Sequence, residues 1–148
     1  MTPLLKHTLF YSLEKASKAY RQFAQANIAV AGIDITIDQW LVLKTLQENR
    51  GITQQQIGVM VFKDFASITR IVQALVEKGF VARTAHAHDK RRSALALTRA
   101  GQNAITELEP IINQNRRRAL RGTALEDIAR AQKLLDQIVS NCHNGNHQ

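Results

Sequence analysis

Between Asp64 and Lys78 the chain carries side chains of the kinds that read base edges. Arg70 offers a forked guanidinium that matches guanine O6 and N7, and Gln73 an amide that matches adenine N6 and N7. Ala66 and Ser67 are small enough to let a helix backbone come close, and Thr69 adds a hydroxyl. On a helical wheel Ala66, Arg70, Gln73 and Glu77 fall on one side, with Ser67 and Thr69 flanking them. Phe65, Ile68, Val72, Leu75 and Val76 fall on the other and are expected to be core. An ordinary solvated helix shows the same division, so this face takes its meaning from what flanks it.

A cationic hairpin lies directly downstream. Phe80–Thr84 and Ser93–Leu97 read as two short strands, and the tip between them is His86-Ala87-His88-Asp89-Lys90-Arg91-Arg92. Guanidinium groups suit the narrow, negative minor groove of A·T-rich duplexes. Asp89, two residues before Arg91, can hold that side chain through a charge-assisted hydrogen bond. Lys90 and Arg92 add charge to the tip. Upstream, the backbone amides of Thr53, Gln54 and Gln55 open a helix and can accept a phosphate, although simple capping accounts for the same residues.

The elements that position these groups emerge from periodicity and capping. Apolar spacing from Leu5 to Phe23 predicts one long helix over about Leu4–Val30, with Gly32 beyond its end. Thr36-Ile37-Asp38-Gln39 and Thr53-Gln54-Gln55-Gln56 are two capping boxes, each opening a helix. Asp64 caps the helix described first. Two short capped helices joined by a tight turn form a helix-turn-helix, and the hairpin after them makes it winged. Thr98 caps a fifth helix, in which Pro110 predicts a kink or local break. A sixth begins near Thr123, with Glu126 completing a third capping box. The fold class is mainly α with a small β-wing: a winged helix-turn-helix over 34–104, flanked by long dimerisation helices over 1–33 and 105–142, in one domain over 1–148.

Composition narrows the partners. Lys and Arg number 20 against 12 Asp and Glu, a net charge of +8, which fits a polyanion such as nucleic acid. The single cysteine, Cys142, excludes an internal disulfide and fits a cytoplasmic setting. No apolar run is long enough for a transmembrane helix, so no membrane partner is expected. No phosphate-cradling glycine loop and no Gly-x-Ser-x-Gly is present, so enzyme chemistry finds little support. His86 with His88 and Asp89, or Cys142 with His143 and His147, supply too few ligands to argue for a metal, and no cofactor is expected.

Lys78-Gly79-Phe80-Val81-x-Arg83, Asp89-Lys90-Arg91 and Leu97-Thr98-x-x-Gly101 together resemble the winged-helix core of the MarR family, the multiple-antibiotic-resistance regulators. The flanking long helices extend the resemblance over nearly the whole chain. It implies a homodimeric regulator, most often a repressor, that binds double-stranded DNA at pseudo-palindromic operators. The family's recognition positions fall on Ser67, Thr69, Arg70 and Gln73, and its wing Asp and Arg on Asp89 and Arg91. His86-Ala87-His88 departs from the family's usual acidic or Pro-containing wing loop. The family also implies a small aromatic acid as effector, for which Phe10, Tyr11, Tyr20 and Trp40 are the pocket residues to weigh against plain core packing. The competing readings are a winged-helix protein-interaction module and a nonspecific architectural DNA-binding protein. A large operator-to-random binding ratio separates the leading reading from both.

Overall fold

Helix starts in this chain are set by side chains that satisfy the amides a helix leaves free. In the computed structural model, which describes residues 1–85, 88 and 93–145, Thr8 accepts from the Tyr11 amide and opens α1 (Leu9–Val30). Both capping boxes form: Thr36 with Gln39 at α2 (Ile37–Glu48), and Thr53 with Gln56 at α3 (Gln54–Met60). Asp64 accepts from the Ser67 amide at α4 (Phe65–Glu77). Strands β1 (Val81–Ala85) and β2 (Ser93–Leu97) pair antiparallel, Val81 opposite Leu97 and Ala85 opposite Ser93. An isolated bridge from Thr53 to Ala94 adds the start of α3 to the sheet. Then come α5 (Arg99–Ala119) and α6 (Leu125–Asn144).

The chain divides into two compact units, Met1–Asn115 and Arg116–Gln148. The first has a continuous core in which Ile28 of α1, Val42 and Leu43 of α2, Ile57 of α3, and Ile68, Val72 and Leu75 of α4 meet Leu95 of β2 and Ile105 and Leu108 of α5. At roughly 1.5–3 kcal/mol for each such side chain, the α4 stripe alone outweighs any single cap severalfold. Asn115 is buried and satisfied: it accepts from Asn27 Nδ2 at 2.8 Å and donates to the Ala24 carbonyl at 3.5 Å, which ties α5 to α1.

Two glycines explain why the hairpin sits against α4. The α4 terminus is a Schellman motif, with the Phe80 amide donating to the Leu75 carbonyl and the Gly79 amide to that of Val76. Gly79 takes the left-handed conformation this needs, at φ +78°. Thr98 then closes the hairpin base, donating to the Gly79 carbonyl at 2.6 Å while accepting from the Gly101 amide at 3.1 Å. Gly101 passes so close that a Cβ there would lie 2.1 Å from the Phe80 oxygen. The Leu-Thr-x-x-Gly motif is thus a clamp between the end of β2 and the end of α4.

Four expectations are corrected. The N-terminal helix does not run from Leu4: Leu5–His7 form a 3₁₀ turn, and the Thr8 cap sets the α-helical start at Leu9. Phe65 is not core but 77% exposed, because it is the first residue of α4 and the buried stripe begins one turn later at Ile68. No break occurs at Pro110, which lies exposed inside a continuous α5. The roughly 3 kcal/mol penalty of an interior proline is exceeded by the burial of Ile105, Leu108 and Ile112 on either side. The third capping box is absent: Ala124 holds the N-cap position of α6, and the Thr123 hydroxyl donates back to Leu120.

The second unit is different in kind. In α6, Leu125, Leu134, Leu135 and Val139 are exposed, Ile128 and Ile138 are half-buried, and no residue is buried.

Candidate nucleic-acid interface

The exposed face of α4 carries Ala66, Arg70 and Gln73, as the wheel requires, with Ser67 and Thr69 half-buried beside them. These side chains are held by one another and by neighbouring elements. Arg70 donates to the Ser67 hydroxyl at 3.4 Å. Thr69 donates to the Phe65 carbonyl at 2.7 Å and accepts from Gln54 Nε2 of α3 at 3.0 Å. Gln73 Nε2 donates to Glu77 at 3.2 Å.

Arg83 of β1 is outside the set of contact residues expected from sequence, yet it joins them. Its guanidinium donates to Gln54 Oε1 at 3.3 Å and to Gln73 Oε1 at 3.5 Å. One wing-strand arginine therefore bridges the first turn of α3 and the middle of α4. Sequence shows Arg83 inside a motif, but its partners lie 29 and 10 residues away. Only the Schellman turn at Gly79, which folds β1 back beside α4, brings them together.

At the start of α3 the expected phosphate contacts divide. Thr53 is buried, and its amide donates to Gln56 Oε1 at 2.9 Å. Gln55 is exposed and Gln54 half-buried. On the wing, Asp89, Lys90, Arg91 and Arg92 lie outside the described residues, as do His86 and His147. His88 is described and exposed.

Charge ties the reading elements to α1. Asp38, near the start of α2, pairs with Arg21 of α1 and, at 3.2 Å, with Lys63 in the turn between α3 and α4. Partial burial pushes the Asp38 carboxyl up, but the hydrogen bonds and charges of Arg21 and Lys63 outweigh it and hold the carboxyl below its ordinary range. The Asp64 carboxyl is also held low, chiefly by the hydrogen bond from the Ser67 amide.

The four aromatics do not share one environment. Trp40 is 4% exposed in the core with Lys44 Nζ 6.0 Å from its ring centre; Tyr20 is half-buried, and Phe10 and Tyr11 are exposed. A cavity of about 540 Å³ between α1 and the start of α2 is lined by Arg21, Gln22, Gln25, Ala26, Ala29, Thr36, Ile37 and Asp38. Among the described residues no group of three or more His, Cys, Asp or Glu could hold a metal ion, and no helix is long and apolar enough to cross a membrane.

A helix-turn-helix with a polar, donor-rich second helix, braced by an arginine from a two-stranded wing, is a geometry for entering a major groove. The MarR family model matches residues 35–93, which run from the start of α2 to the return strand of the hairpin. Over that segment the chain is similar to MarR-family regulators. It is 31% identical over 94 residues to a putative transcriptional regulatory protein for the hcr operon from Thauera aromatica, and the match covers 64% of the chain but 55% of that relative's length. The match thus spans only about half of the curated relative. Among solved structures, a probable transcriptional regulator from Pseudomonas aeruginosa superimposes with a TM-score of 0.82 at 26% identity, over 91% of this chain and 99% of that one. BpsR from Bordetella bronchiseptica, whose DNA binding is regulated by 6-hydroxynicotinic acid, gives a TM-score of 0.85 at 17% identity over 94% and 98% of the two chains. At that identity the likeness speaks for the fold.

Proposed function

We propose that the chain is a sequence-specific DNA-binding regulator of transcription, acting in the cytoplasm as a homodimeric repressor on a pseudo-palindromic operator. The observation that carries this reading is the side-chain set Gln54, Thr69, Gln73 and Arg83, which gathers α3, α4 and the wing around one solvent-facing polar surface. Arg70 and Gln73 read bases, and Arg91 adds affinity from the minor groove. Thr53 contributes by capping, and Gln54 and Gln55 stand toward the phosphates. The reading assigns the chain no catalysis.

Dimerisation supplies the second reading head. Leu4, Leu5, Leu9 and Phe10 at one end of the chain, and Leu125, Leu134 and Val139 near the other, are exposed apolar side chains that a second copy would cover. Two heads must then sit about 34–36 Å apart to enter successive major grooves.

The reading extends to an acidic effector. A carboxylate entering the cavity beside Arg21 competes with Asp38 for the guanidinium, and Asp38 is also the partner of Lys63 in the helix-turn-helix turn. The ligand therefore acts on a charge link between α1 and the reading head. The effect is bounded by its differential affinity for the two states, and about 1–3 kcal/mol of coupling is enough to release an operator. Tyr20 and Trp40, near this link in sequence, serve as reporters.

The test is binding to an operator selected from a random duplex pool, against scrambled duplex, over a salt series. The reading expects an affinity ratio of about 10³ or more, and weaker binding as salt rises. A ratio near one at every salt leaves a nonspecific binder instead. Adding aromatic acids should lower operator affinity and change Trp40 fluorescence together, and Arg21→Ala should abolish both responses.

A further inference from the structure

The turn between α3 and α4 repeats the hydrogen bonds that end α4. The Lys63 amide donates to the Gly58 carbonyl at 2.9 Å and the Phe62 amide to that of Val59 at 3.3 Å, a second Schellman motif. At the position where α4 has Gly79, this turn has Phe62, held at φ +61°. A bulky side chain disfavours that conformation, and glycine adopts it freely. Phe62 also buries nothing in return, being 92% exposed. Three residues on, Phe65 opens α4 and is 77% exposed. Folding accounts for neither ring.

Their place in the fold says what they meet. The leading end of a recognition helix is the part that approaches base edges. Phe65 adjoins the exposed Ala66, and its carbonyl accepts from the Thr69 hydroxyl one turn on. Arg70 is exposed further along the same helix, in a chain of net charge +8. An apolar side chain at a groove has one distinctive target there, the C5 methyl group of thymine, which offers nothing to a hydrogen-bonding group.

We propose that Phe62 and Phe65 form an apolar reader of thymine methyl groups at the leading end of α4, so that part of the operator preference is for thymine itself rather than for its hydrogen-bonding pattern. The inference rests on the regulator reading above and adds to it a specificity device that Arg70 and Gln73 cannot supply.

The experiment replaces each thymine of the selected operator in turn by deoxyuridine, which deletes the methyl and leaves every hydrogen-bonding group in place. Wild-type protein should lose about fourfold in affinity per contacted methyl, at one or two positions in each half-site. Phe65→Ala should bind the thymine and uracil duplexes equally, and Phe65→Leu should keep part of the preference. Phe62→Gly should melt at or above the wild-type temperature and yet lose discrimination at the same positions, which separates a contact role from a folding role. Wild-type protein that binds its operator normally but ignores every methyl overturns this inference and leaves the regulator reading standing. Phenylalanine variants that retain the full thymine preference overturn it too. Failure of the wild type to prefer any operator overturns the regulator reading, and this one with it.

Discussion

α4 and α6 carry the same kind of sequence, an apolar stripe on one side of a helix, and meet opposite fates. In α4 the stripe Ile68, Val72 and Leu75 is fully covered by the rest of its own unit. In α6 Leu125, Leu134, Leu135 and Val139 remain open along 20 residues of helix. Periodicity reports that a face wants to be covered; it does not report by what. The stripe of α4 is completed within the chain, whereas that of α6 is completed, on the proposed reading, by a second copy. Stability in the two regions should therefore obey different laws, one independent of protein concentration and one dependent on it.

The largest effect expected from this contrast is in the core. Leu75→Ala should cost about 2–5 kcal/mol, read by denaturant unfolding, and the loss should be the same at low and high protein concentration. Leu135→Glu should leave the Met1–Asn115 unit folded by circular dichroism. Sedimentation should then fall from about twice 16.6 kDa toward 16.6 kDa at micromolar protein. A wild type that is already a clean monomer would remove the proposed difference between the helices.

Next in size is the clamp that joins α4 to the wing. Gly101→Ala places a methyl against the Phe80 carbonyl, a backbone atom that cannot turn aside. A loss of about 1–3 kcal/mol is expected, together with weaker DNA binding, because Arg83 reaches Gln54 and Gln73 only while β1 stays docked. Unchanged DNA affinity in a destabilised Gly101→Ala protein would show that the wing strand and α4 act independently.

Most of the first unit is legible in the sequence because its punctuation is local. Thr36 with Gln39, Thr53 with Gln56, and Asp64 each announce a helix within four residues, and each does so in the structure. The failures share a cause. Thr123 and Glu126 have the capping spacing, yet Thr123 turns back to Leu120, since spacing states which bonds can form and not which compete. Phe65 sits on the apolar side of a wheel that takes no account of where a helix begins. Pro110 signals a break by backbone chemistry alone, which leaves out the buried neighbours that hold α5 through it. In the candidate site, the Arg70 and Gln73 face can be read from period, but the part of Arg83 depends on contacts across the turn at Gly79.

The smallest effect is on pH. Asp38 and Asp64 have folded-state pKa values below their ordinary ones, so the stability each contributes is present above the unfolded carboxylate pKa and is lost as pH falls through the folded one. Thermal melts should therefore be flat near neutrality and decline below about pH 4. Asp38→Asn should flatten part of that decline by removing its pairing with Arg21 and Lys63. An identical acid limb in Asp38→Asn would place the acid sensitivity elsewhere.

The claim on which the functional account turns is that the exposed face of α4 reads bases. It is met most directly by measuring wild-type and Arg70→Ala affinities across a panel of single-base-pair variants of the operator. The account predicts that Arg70→Ala loses about 1–3 kcal/mol on the parent operator and becomes indifferent at one base pair in each half-site, with preferences elsewhere unchanged. Superimposable profiles for the two proteins would contradict it.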